Sequence, residues 1–93
     1  MRDAFAAAVQ AAADESSSIG HPPVVLIQML RQRHAVEVAK QLVVSGTIQQ
    51  GFLKMREIGR LDLSIESLML QPRFAGLFSP RELDAARWRL EQA

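Results

Sequence analysis

The stretch GRLDLSIESLML runs from Gly59 to Leu70. Its first apolar residues, Leu61, Leu63 and Ile65, alternate with the period of a strand. From Ile65 onward, through Leu68, Met69 and Leu70, the spacing is that of a helix. Three alternating positions are too few to outvote a glycine before them and a helical pattern after them. The stretch therefore reads as a corner between helices. Gly59 ends one helix, Leu61 and Leu63 plug the core from the connection, and Asp62 or Ser64 caps the next. Glu66 near that start suits the helix dipole. Arg60 is placed to pair with Asp62 or Glu66 across the turn.

Downstream, Gln71–Pro72 stops the helix, because a residue before proline avoids the α region. RFAG then reads as a turn containing Gly76. In LFSPREL, Ser79 is an N-cap, Pro80 the first helical residue and Glu82 the third, which is a capping box. Phe78 and Leu83 flank it as a hydrophobic staple. The last helix runs from Pro80 to about Glu91, with Leu83, Ala86, Leu90 and the stem of Arg87 on its inner side.

Upstream, TIQQGFLKMREI is a helix capped by Thr47, with Ile48, Phe52, Met55 and Ile58 on one face. Gly51 in its middle implies a close neighbour. AVEVAKQLVV precedes it as a helix with an inner stripe of Val36, Ala39 and Val43, ended by Ser45–Gly46. RQRH, residues 31–34, is a short polar connection. Before it, a helix starts at Pro22 or Pro23 and runs to about Gln32. It is apolar all round and so reads as the central element. Residues 3–16 form an alanine-rich helix with Asp3 as cap and Phe5, Val9 and Ala12 on a thin face. The expected architecture is all-α: one domain over residues 1–93, a compact bundle of five to six short helices. Residues 1–17 are expected to dock loosely and residues 22–93 to form the core.

A chain of 93 residues can bury roughly 60–70% of its unfolded surface. That supports one modest core and no large, separately walled active site. Eleven basic against ten acidic residues give a net charge of +1, too little for a strong field toward nucleic acid or an anionic membrane. The absence of cysteine excludes disulfides and thiolate metal sites and fits a cytoplasmic setting. No apolar run approaches the ~20 residues of a transmembrane helix. Asp3 and Gln10 spoil the faint likeness of the start to a signal peptide.

His21 and His34 lack any close ligand spacing and read as loop histidines. GTIQQG, residues 46–51, lacks the lysine and hydroxyl of a phosphate loop. No nucleophile turn is present. Neither catalysis, a cofactor, a metal nor a small-molecule substrate is expected. Residues 35–58 have the outline of a helix-turn-helix, with Thr47, Gln49 and Gln50 at the start of its second helix and Arg31, Arg33 and Lys40 nearby. That would make the chain a direct DNA- or RNA-binding protein. Near-neutral charge favours a plain helical hairpin instead.

Trp88 is the most informative single residue. On a helical wheel it lies about 140° from Leu83 and farther from Ala86 and Leu90. It falls off the inner stripe, beside Arg81 and between Arg87 and Arg89. A tryptophan amid arginines has the composition of a protein–protein hot spot. Arg81, Trp88, Arg87 and Arg89 are therefore the candidate partner-binding residues.

The run GF-x6-GRLDLSIE followed by LF-S-P-REL resembles a small uncharacterised bacterial family of helical proteins. The matching positions are Gly51, Phe52, Glu57, Gly59, Arg60, Leu61, Asp62, Leu63, Glu66, Leu68, Phe74, Leu77, Phe78, Glu82, Leu83, Ala86, Arg87 and Leu90. A looser likeness reaches back to Pro22, Leu30, Ala39 and Leu42, and the first helix lies outside it. The resemblance implies an all-helical fold and short standalone proteins or modules beside larger ones, some linked to restriction or phage defence. It carries no catalytic residue, cofactor or substrate. Trp88 and RQRH depart from its pattern. The expected function is a small cytosolic accessory module that binds a protein partner or itself.

Overall fold

Seven α-helices and one 3-10 turn make up the computed structural model, which describes residues 1–44 and 50–92, the side chains of residues 50–52 and 92 excepted. In order they are α1 (Arg2–Ser18), α2 (Val24–Gln32), α3 (Ala35–Val44), α4 (Gln50–Glu57), the 3-10 turn Leu61–Leu63, α5 (Ile65–Met69), α6 (Pro72–Ala75) and α7 (Pro80–Gln92). The all-α class holds. The Cα radius of gyration is 11.9 Å, against about 12 Å for a compact chain of this length.

The corner forms as its residues require. Gly59 takes φ +72°, a left-handed value that suits glycine. The N–H of Arg60 donates to the Met55 carbonyl at 2.8 Å and that of Gly59 to Arg56 at 3.2 Å. These two bonds are the Schellman closure of a helix C-terminus. Gly20, at φ +89°, closes α1 in the same way. The strand-like alternation is the 3-10 turn, in which Leu61 and Leu63 are only half-buried and do not plug the core as expected. Of the two candidate caps, Ser64 is the one used: its Oγ accepts from the Ser67 N–H at 3.2 Å. Pro72 breaks the chain after α5 as expected. It then starts α6 as its first residue, where a turn was expected. The caps expected at Gly46 and Thr47 lie outside the described residues, as do the side-chain surroundings of Gly51.

Two helices exchange their expected places. α1 is no loose appendage: Phe5 is 0% exposed and Val9 is equally deep. The Phe5 ring meets Phe74 and Phe78 edge-on, each at a centroid distance of 5.2 Å. Such contacts add about 0.5–1.5 kcal/mol per pair beyond area burial. α1 starts at Arg2, one residue earlier than expected, so Asp3 lies in its first turn and makes no cap. α2 is not the central element. None of its residues is buried, and Val24 and Val25 are 57% and 59% exposed. The centre is α3, which buries Ala35, Val36, Val38, Ala39, Leu42 and Val43 between α1, α5 and α7. His34 starts α3: its Nδ1 accepts from the Val36 N–H at 3.1 Å.

Candidate interaction surface

α7 is aimed by its N-terminal cap. The Ser79 N–H donates to Glu82 Oε1 at 2.8 Å, and the Glu82 N–H donates back to Ser79 Oγ at 3.2 Å. Phe78 is buried and Leu83 packs at the core edge, as the staple requires. With its start fixed, α7 turns Ala86 into the core and Trp88 outward.

Arg89 is the correction within the expected patch. It is 1% exposed and belongs to the interior. Its Nε donates to Glu66 Oε2 at 2.7 Å, and Glu66 is equally buried. An ion enters a core only with a partner, and α5, packed against α7, supplies one. Glu66 therefore does not pair with Arg60. The stem of Arg87, expected inside, lies in solvent, where Nη1 donates to Asp84 Oδ1 at 2.8 Å. The helical wheel could not settle which arginine turns in, because both lie on flanks of the inner stripe. Glu66 set among Ile65, Leu68 and Met69 was the available signal: an acid inside an apolar run needs a buried cation.

Two of the expected partner-binding side chains remain together with Trp88 on the outer side. Trp88 is 52% exposed, and Arg81 and Arg87 are exposed. Asp84 and Glu91 are exposed beside them. Among the described residues, the side chains of Arg81 and Glu91 make no hydrogen bond or ion pair. The surface thus combines one large aromatic ring, one satisfied ion pair and two unsatisfied charges of opposite sign.

Among the described residues, those expected to touch nucleic acid are not gathered in this way. Arg31 is exposed on α2. Arg33 donates to Gln41 Oε1 at 2.7 Å, and Lys40 is half-buried on α3. Thr47 and Gln49 lie outside the described residues, and Gln50 is described only as the first residue of α4. α3, the first helix of the supposed hairpin, is the innermost helix and exposes Glu37, Gln41 and Val44.

A second polar group ties the corner to α1. Arg60 donates to both oxygens of Asp62, at 3.1 and 3.2 Å, and to Glu15 Oε1 at 3.2 Å. The hydrogen bond to Asp62 raises the Arg60 guanidinium above its ordinary value. In return it holds the Asp62 carboxyl below the usual carboxylate range.

Among the described residues, no group of three or more His, Asp or Glu side chains could hold a metal ion. No described helix is long and apolar enough to cross a membrane. Among the described residues, Leu53, Lys54, Arg56 and Glu57 of α4 line a depression. Comparison with family models, with curated proteins and with solved structures gave no match.

Proposed function

We propose that this chain is a small cytosolic accessory module that docks on a protein surface through the outer side of α7. The observation that carries the proposal is Trp88. It stands half in solvent on a well-capped helix whose Ala86 and Arg89 are buried and whose Leu83 packs against the core. A tryptophan left in water costs the free chain hydrophobic free energy that burial against a partner recovers. Truncating such a residue in an interface typically costs 2 kcal/mol or more of binding. The arginines beside it can anchor a carboxylate or stack on a ring.

Light scattering and host-lysate capture with wild type and Trp88→Ala test the proposal. The expected result is an association, with itself or with a captured protein, that the substitution weakens at least tenfold while the helical spectrum is unchanged. A strict monomer with no Trp88-dependent partner would overturn it. Direct nucleic-acid binding is the competing class. It would appear as an affinity that falls steeply with salt and ignores Trp88.

A further inference from the structure

The two unsatisfied charges on α7 sit at the wrong ends of their own helix. Arg81 is in the first turn, where the helix dipole is positive, and Glu91 is in the last, where it is negative. Both positions are unfavourable to the helix dipole, and neither side chain makes a hydrogen bond or ion pair among the described residues. They lie on the same outer side as Trp88, separated by about 15 Å along the helix axis.

An antiparallel copy of the helix reverses every one of these signs. With a two-fold axis near Ala86, Arg81 faces Glu91 of the second copy and Glu91 faces Arg81. Each charge then sits beside the dipole end that suits it. The same register sets each Trp88 against the other copy's Asp84–Arg87 pair, whose planar guanidinium offers a stacking face for the indole. A two-fold contact needs this self-complementarity, in which one patch meets itself.

We infer that the partner on this surface is a second copy of the chain, docked antiparallel through α7. This rests on the proposal that Trp88 marks a protein-docking surface. A contact built on one helix is at the small end of specific interfaces, so the dimer is expected to have a Kd on the order of 10–100 μM.

Charge reversal tests it by sedimentation equilibrium of the full chain, up to about 0.5 mM. R81E places two acids opposite each other, and E91R places two bases. Each variant alone is expected to dimerise at least tenfold more weakly than wild type. Each also improves its own helix dipole, so the monomer should melt no lower than wild type, and lost association cannot be lost folding. Mixing R81E with E91R restores both opposite-charge contacts. The mixture should form a heterodimer within about threefold of the wild-type affinity. Dimers indifferent to the single reversals, or a mixture that fails to pair, would overturn the arrangement. A monomeric wild type at the highest concentration would overturn self-pairing altogether. A Trp88-dependent partner captured from the host would then still uphold the docking surface, so the two failures are distinguishable.

Discussion

α1 and α2 invert each other in composition and in place. α1 has seven alanines and only two large apolar residues, Phe5 and Val9, yet both reach the bottom of the core. α2 has six large apolar residues among nine and buries none of them. The difference lies in arrangement. In α1 the buried positions Phe5, Val9, Ala13 and Ser16 make one narrow stripe at helical spacing. The small residues beside it let α1 approach α3 and α5 closely, since interaxial distance follows side-chain size. In α2 Leu26, Met29 and Leu30 rest partly buried against the core while Val24 and Val25 stand in solvent, because the helix lies mainly against α3 and covers one side only. α1 is also tied at both ends, by Arg2–Glu37 at 3.4 Å and Arg60–Glu15 at 3.2 Å. The side chains of α2 make no hydrogen bond or ion pair among the described residues.

The largest way to break this contrast is Phe5→Ala. Deleting a fully buried phenylalanine costs about 3–5 kcal/mol. The upper end is expected, because two edge-on ring contacts vanish with it. A chain of this size has a total stability of about 5–14 kcal/mol. Urea unfolding should therefore show the variant close to the edge of cooperative folding. A loss under 1 kcal/mol would mean that α1 is the loosely docked helix its alanines suggested.

α7 repeats the contrast in adjacent residues, with Trp88 outside and the charged Arg89 inside. Arg89→Ala leaves Glu66 buried without its cation, and breaking a buried pair costs about 3–5 kcal/mol. Replacing both residues by methionine should recover most of that loss, because well-packed apolar residues often match a buried ion pair. Equal losses in the single and double variants, measured by denaturant titration, would show that shape and not charge governs the site.

These cases mark what the sequence could disclose. The capping box of Ser79 and Glu82 and the stop at Gly59 were legible because their partners lie within a few residues. The place of Trp88 off the inner stripe was legible because position on the wheel is a local property, whereas its exposure depended on whether another segment folds over it. The Glu66–Arg89 pair was not, because its members meet only when α5 packs on α7. The exchange of α1 and α2 was missed for the same reason. Apolar content says how much a helix could bury, while the neighbours that fold against it decide how much it does. Thr47 and Gln49 of the candidate nucleic-acid set lie beyond the described residues.

A smaller effect belongs to the tie at the end of α1. Asp62→Asn removes the main partner of Arg60. The folded Asp62 carboxyl titrates below its unfolded value of about 3.9. Its contribution is therefore fully present above about pH 4 and is lost as the pH falls through the folded value. Wild type should melt slightly above Asp62→Asn at pH 7, and the difference should vanish toward pH 2. Exposure keeps the difference modest and salt-sensitive. A gap that persisted unchanged in acid would assign the effect to packing.

The smallest expected effect sharpens the comparison most. Val24 and Val25 carry as much apolar surface as many core positions, but they already stand in water in the folded chain. Replacing both with serine removes no contact with the core, and serine and valine have nearly equal helix propensity. Thermal unfolding should shift by no more than the equivalent of about 0.5 kcal/mol in either direction. The paired variant thus deletes two branched apolar side chains from the most apolar helix for almost nothing. Phe5→Ala deletes one ring from an alanine-rich helix and nearly unfolds the chain. A loss above 1 kcal/mol for the serine pair would return α2 to the core and reverse the contrast. Near-neutrality would show that the stability of this bundle follows the position of each apolar residue and not their number.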